Sequence, residues 1–365
     1  MEYLIKPIAA HLKTDADAIK LERIQHGMRQ RHNVCRLKFG TESYLLKQQD
    51  ITSSVVDAGY TPLQIEAAML SLLHENGCQV PRLIWKSDDQ HALLIEWCGE
   101  RTLDALAQSE ERSIQHLTPL LNTILRELCK IETCFTTHAA QFAPYIFPFD
   151  AHTTLRDLLE QGKKVVGYLS HLSSSPMSSA QTEALTNAWH VFANRLQNAP
   201  LTLGNLDNNA RNIVIRDTSA FFIDFASIGW NWQEMRLVQL LNSIGAFLVS
   251  PSGNANFVSL LDRELVNAYA EWVSTHRETC PPAEVAARVD SHHLLFYLSV
   301  IHQLLRATVQ PEATENRMLL DAWGDAQARY QSALTHIIHT RLSDDVSANQ
   351  IREIIADFST KVVEA

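Results

Sequence analysis

Residues 21 to 47 carry three strand-like runs, Leu21 to Ile24, His32 to Phe39 and Ser43 to Lys47, set apart by Gly27 and by the turn signal Gly40-Thr41. This punctuation predicts an antiparallel sheet. The apolar positions then switch to helical spacing: Ile65, Met69, Leu72 and Leu73 recur behind Pro62, which suits a helix start, and Asn76-Gly77 marks the stop. Arg82 to Trp85, the turn Ser87-Asp88-Asp89-Gln90 and Ala92 to Trp97 read as a hairpin that closes the sheet. A first lobe, a small sheet with one helix, is therefore expected over 1–97.

Beyond Glu100 the spacing predicts long helices, among them Ile114 to Phe135, Thr154 to Leu172, Ala180 to Gln197, Arg263 to Thr275 and His292 to Val309. A mainly helical lobe is expected over 98–365. The serine-rich run Ser173 to Ser179 predicts a flexible connection with no packing or capping role. Asn212 to Arg216 and Ala220 to Phe225, around Asp217-Thr218-Ser219, predict a small hairpin inside the helical lobe.

Composition narrows the class. A chain of 365 residues, 46% hydrophobic and 20% charged, can bury a sizeable core, and about 100 to 200 residues per domain makes two lobes the expectation. Lys and Arg total 31 against 41 Asp and Glu, a formal net charge of −10, which offers no broad basic face for nucleic acid. The six cysteines lack any zinc-type spacing and read as free thiols. No basic segment followed by an apolar one opens the chain, and the most apolar stretches, Leu237 to Val249 and Leu294 to Leu305, contain Gln239, Asn242, His302 and Gln303. Both fall short of the roughly 18 to 20 apolar residues of a bilayer span. A cytoplasmic chain without nucleic-acid or membrane partners is expected.

The segment Leu203 to Val214, followed by Phe221-Phe222-Ile223-Asp224-Phe225, places Asp207, Asn212 and Asp224 beside one short hairpin. Phosphoryl transfer needs a carboxylate next to the acceptor hydroxyl and oxygen ligands for the magnesium that bridges the phosphates. A loop carrying Asp207 that runs into a strand at Asn212, with a return strand ending at Asp224, supplies that set.

Here the sequence resembles the aminoglycoside phosphotransferase and choline kinase branch of the protein-kinase-like fold. Asp207-Asn208-Asn209-Ala210-Arg211-Asn212 fits its D-x-x-x-x-N loop and Ile223-Asp224-Phe225 its I-D-F. The resemblance implies Asp207 as catalytic base or hydroxyl-orienting residue, and Asn212 and Asp224 as Mg2+ ligands. It also implies that Lys47, ending the third strand, holds the phosphates of ATP or GTP with Glu66 as its partner, beneath a phosphate-covering loop at Gly27. Gly77 to Leu83 is similar to the family's G-x-x-V-P lead-in to the next strand. Leu93 to Leu103 resembles its hinge, so that main-chain groups of Glu96 and Cys98 would meet the adenine edge with Ile95 behind it. The implied architecture is α+β and bilobal, with a small antiparallel-sheet N-lobe and a larger helical C-lobe. The implied acceptor is a small-molecule hydroxyl, since no A-P-E segment follows Asp224-Phe225.

Two positions depart from the pattern. Asn205-Leu206-Asp207 stands where the family reads H-G-D, and Arg236 occupies the place of an aspartate that supports the loop. These departures motivate an alternative, a nucleotide-binding pseudokinase. His292, His293 and His302 lie on an apolar helical stretch and read as hydrogen-bonded packing residues. Trp230 and Trp232 suit either an acceptor pocket or the core.

Overall fold

The first surprise lies ahead of the sheet. Helix α1 (Ile5–Leu12) precedes strands β1 (Lys20–Arg23), β2 (His32–Phe39) and β3 (Glu42–Gln49), helix α2 (Pro62–Glu75), and strands β4 (Leu83–Ser87) and β5 (Ala92–Glu96). The computed structural model describes all residues except 25–31, 50–52, 110–113, 173–176, 247–255, 277–279 and 364–365. Gly27, expected in the phosphate-covering loop, lies outside the described residues.

The strands form one antiparallel sheet in the order β1-β2-β3-β5-β4. Its two faces are separately covered, and β5 shows how. Ala92 and Leu94 pack with Leu4, Ile8, Leu37 and Leu46 on the α1 side, while Leu93 and Ile95 pack with Ile65, Met69 and Leu73 on the α2 side. A strand buried on both faces reads as a continuous apolar run, as Ala-Leu-Leu-Ile does. Sequence reasoning expected only α2, because an eight-residue helix with Pro7 in its first turn is too short to show a period. Helix α2 begins on a capping box in which Thr61 and Gln64 exchange hydrogen bonds, with Pro62 as the first helical residue.

The rest of the chain comprises β6 (Arg101–Thr102), α3 (Leu103–Ala107), α4 (Ile114–Thr137), α5 (Ala139–Phe142), α6 (Ala151–Leu172) and α7 (Ser179–Gln197). Strands β7 (Thr202–Asn205), β8 (Ile213–Arg216), β9 (Ser219–Phe222) and β10 (Ile228–Asn231) follow. Helices α8 (Gln233–Asn242), α9 (Arg263–His276), α10 (Pro282–Val309), α11 (Thr314–Trp323), α12 (Ala326–His339) and α13 (Val346–Val363) complete it. One core joins α2 and β5 to α4, the β8–β9 hairpin, α8 and α9, and a second fills the space between α6, α7, α10, α12 and α13. The small strands pair as β7 with β10 and as β6-β8-β9. Among the described residues no helix is long and apolar enough to cross a membrane.

Two expectations are corrected. Helix α10 starts at Pro282, ten residues before His292, because its charged first turns are buried and paired: Arg288 with Glu234 at 2.8 Å and Asp290 with Arg352 at 2.5 Å. Charges that read as a helix end in sequence are internal ion pairs. Nor is the serine-rich run without a capping role, since Ser178 accepts from Gln181 N–H and forms a capping box with it.

His292 and His293 are buried core residues, but against the expectation of hydrogen-bonded rings, Nε2 of His292 and both ring nitrogens of His293 find no hydrogen-bond partner among the described residues. His293 packs edge-on to Tyr297, with ring centroids 5.0 Å apart. Burial, aided by the Arg288 charge, pushes His292 down to about 3 from its ordinary 6.5. Burial likewise lowers His293 well below that value. A histidine held neutral in the fold but protonated in the unfolded chain costs stability once pH falls below 6.5. Thermal midpoints are therefore expected to drop as pH falls from about 6.5 toward 4. His292→Leu should flatten that slope, and an unchanged slope in calorimetric scans would contradict this assignment.

Candidate active site

Strand β7 ends at Asn205, and the chain turns through Asp207 into a 3-10 turn, Ala210–Asn212, before β8. Side-chain amides shape the turn in place of ladder bonds. Asn209 accepts from Arg211 N–H at 3.1 Å and donates to Asp207 Oδ1 at 2.8 Å. Asn212 Nδ2 donates to Asp207 Oδ2 at 3.3 Å and to its main-chain oxygen at 3.0 Å. Asp207 is exposed, yet each carboxylate oxygen is held by one amide and keeps a lone pair for a further donor.

The return strand stops at Phe222, short of the expected Phe225, because Asp224 takes a left-handed conformation (φ 64°) that no ladder accommodates. The Ile223 N–H donates to the Asn212 main-chain oxygen at 2.9 Å, which brings Asp224 beside Asn212. Asp224 Oδ1 lies 3.6 Å from Lys47 Nζ. Lys47 Nζ donates to Glu66 Oε1 at 2.5 Å, and Glu66, on α2, is fully buried. Lys47 does not end its strand, which runs to Gln49; it sits opposite Val34 and Leu93 in the middle of the sheet. Burial alone would lower the Lys47 ammonium, but the Asp224 and Glu66 charges outweigh it and hold the group well above its ordinary value. Burial raises Glu66, an effect that Lys47 opposes.

Three segments far apart in sequence, β3, α2 and the Asp207–Asp224 region, thus meet at one lysine. No protein-family model and no curated protein matches the sequence. Solved structures do match in shape. A Ralstonia eutropha protein provisionally assigned as an aminoglycoside phosphotransferase aligns with a TM-score of 0.52 at 11% identity, over 98% of this chain and 98% of its own. The choline kinase of Cryptosporidium parvum aligns with a TM-score of 0.51 at 11% identity, over 100% of this chain and 96% of its own. This is the protein-kinase-like fold.

β5 ends at Glu96, and the chain passes from there to β6. The Glu96 N–H donates to the Arg82 oxygen at 2.9 Å, and the Glu96 main-chain oxygen accepts from the Cys98 thiol at 3.7 Å. Ile95 is fully buried behind it. Arg216 of β8 reaches the end of β5, donating to Glu96 Oε1 at 3.0 Å.

The two departures from the usual motif leave the kinase-like loop supported. Asn205 Nδ2 donates to the main-chain oxygens of Asp207 and Asp224, each at 3.3 Å, and Asn205 Oδ1 accepts from Asp207 N–H at 3.2 Å. One amide therefore ties both acidic segments together. Arg236 is fully buried with Glu132 of α4 as its counter-ion. Sequence reasoning missed Glu132, since nothing local marks one helix carboxylate among many. The two tryptophans separate: Trp232 is core, donating to the Ala199 oxygen at 3.0 Å, whereas Trp230 is exposed. A cavity of about 780 Å³, lined by Arg195, Glu284 and Asp345 among others, lies between α7, α10 and the start of α13 and contains no residue of this site.

Removing one partner of a buried ion pair strands the other charge. Glu66→Ala is expected to cost about 3–5 kcal/mol in denaturant titrations. Lys47→Met/Glu66→Leu should recover most of that loss, and equal instability of single and double variants would contradict the pairing.

Proposed function

We propose that the protein is a kinase that transfers the γ-phosphoryl group of ATP or GTP to a hydroxyl of a small molecule. The observation that carries this reading is the convergence of Lys47, Glu66 and Asp224, with Asp224 tied through Asn205 to the loop of Asp207. Phosphoryl transfer is chiefly positioning and charge stabilisation, and a fixed ammonium beside a fixed carboxylate suits both tasks. Lys47 would grip the α- and β-phosphates, and the Glu96 carbonyl with the Cys98 main chain would meet the base. In this reading 1–97 forms the nucleotide-binding lobe and 98–365 the catalytic and acceptor-binding lobe.

The residues fit a magnesium ion. Asn212 spends its amide N–H groups on Asp207, and among the described residues its Oδ1 accepts no hydrogen bond. Asp224 presents a partly exposed carboxylate engaged on one oxygen by Lys47. Hard oxygens of this kind, completed by phosphate and water oxygens, are what Mg2+ takes. Bound there, the ion would neutralise charge on the triphosphate. Asp207, fixed by Asn209 and Asn212, would orient the acceptor hydroxyl and accept its proton.

A small acceptor is favoured by the short path after Asp224. Phe225 is buried and β10 begins at Ile228, which leaves no room for an extended peptide-binding segment. The net charge of −10 suits a cationic acceptor such as an amino alcohol or an aminoglycoside. Six buried free cysteines fit a reducing, cytoplasmic setting.

The test is magnesium-dependent turnover of ATP and GTP against aminoglycosides, amino alcohols, sugars and nucleosides. Asp207→Ala is expected to lower kcat by about 10²–10⁴ with nucleotide affinity hardly changed. Tight nucleotide binding without acceptor phosphorylation, and no effect of the substitution, would instead support the pseudokinase alternative.

A further inference from the structure

The Asn205 amide governs Asp207 and Asp224, so whatever fixes Asn205 sets the height of both. Asn205 is the last residue of β7, whose four residues are all buried and whose partner is β10. At the far end of that ladder, Thr202 faces Asn231. Arg236, on the first turn of α8, lies across this end. Its five N–H donors find five acceptors: Nε gives to Glu132 Oε1 at 2.6 Å, and Nη1 to the main-chain oxygens of Thr202 at 3.2 Å and Asn231 at 3.1 Å. Nη2 gives to Glu132 Oε2 and Thr202 Oγ1. A guanidinium with every donor satisfied cannot shift without losing bonds inside a dry core.

Two glycines make room for the unusual residues, and they face each other in the ladder as Gly204 and Gly229. A Cβ on Gly204 would stand 2.7 Å from the Arg236 Cζ and Nε atoms. A Cβ on Gly229 would stand 2.8 Å from Leu206 Cδ1. Leu206 and Arg236 are two of the three residues at which the chain departs from the loop pattern of its resemblance, the third being Asn205. Arg236 and Leu206 are each seated against a glycine of the same two-stranded ribbon.

We propose that Arg236 is a positioning residue for the Asp207 loop: locked by Glu132, it anchors β7 and β10 beneath Asn205, while Leu206 on Gly229 pins the loop from the other strand. The inference rests on the phosphotransfer reading for its catalytic consequence, though not for its structural one. In place of an acidic support below the loop, this chain uses a basic one with its own counter-ion.

Arg236→Met alone would strand a buried carboxylate, so the informative variant is Glu132→Leu/Arg236→Met, an apolar pair of similar bulk. Gly204→Ala, which leaves every charge in place, is the second. For each, amide hydrogen exchange of the full-length chain is followed in peptides covering 205–212, with α10 and the five-stranded sheet as internal references. Exchange over 205–212 is expected to rise by about tenfold or more with the references unchanged. In turnover assays kcat should fall about a hundredfold while the nucleotide KM holds, the signature of lost positioning rather than lost binding. Unchanged exchange over 205–212, or a rise shared equally by the reference segments, would overturn the proposal. A wild type that phosphorylates no acceptor would sink the phosphotransfer reading, and the exchange comparison would still decide the brace.

Discussion

The structure depends on a largely buried ammonium. Lys47 lies within the central sheet with a fully buried carboxylate on one side and a partly exposed one on the other. A lone charge at this depth would cost several kcal/mol, and that cost dictates the neighbours: α2 must present Glu66 inward, and the segment after β9 must turn back toward the sheet. The left-handed residue at Asp224 belongs to the same demand, since an extended strand would carry its carboxylate away.

Around that charge the molecule is built in layers of decreasing tolerance. The sheet is sealed by α1 and α2, and the β8–β9 hairpin is packed on α4. The acidic loop itself has little apolar content and owes its shape to four asparagines, Asn205, Asn208, Asn209 and Asn212, and a buried arginine. Such a loop is specified by hydrogen bonds rather than by packing, so its geometry is exact where donors are satisfied and soft elsewhere.

What sequence reasoning could see follows from this division. The hairpins, α2 and the cluster Asp207, Asn212 and Asp224 are written in local spacing and turn residues, and each was legible. Helix α1 was not, being too short for a period, nor was the start of α10, where buried ion pairs mimic a polar boundary. The β7–β10 pairing joins segments more than twenty residues apart and leaves no local trace. Asn205 and Arg236 were seen, but as losses. Their compensating partners, Glu132 and the two facing glycines, become visible only once the chain is folded.

The stretch between α2 and β4 has a consequence of its own. The Gln79 N–H is held by Glu127 at 2.5 Å, Lys130 binds the Gly77 oxygen, and the Gln79 oxygen receives the Phe222 N–H at 3.0 Å. Phe222 is two residues from Asp224. Both carboxylates that embrace Lys47 are therefore moored to the same short strap, one through α2 and the other through β9. A swing of α2 that separated Glu66 from Lys47 would have to tear this mooring first. The cradle around Lys47 is built as a standing fixture.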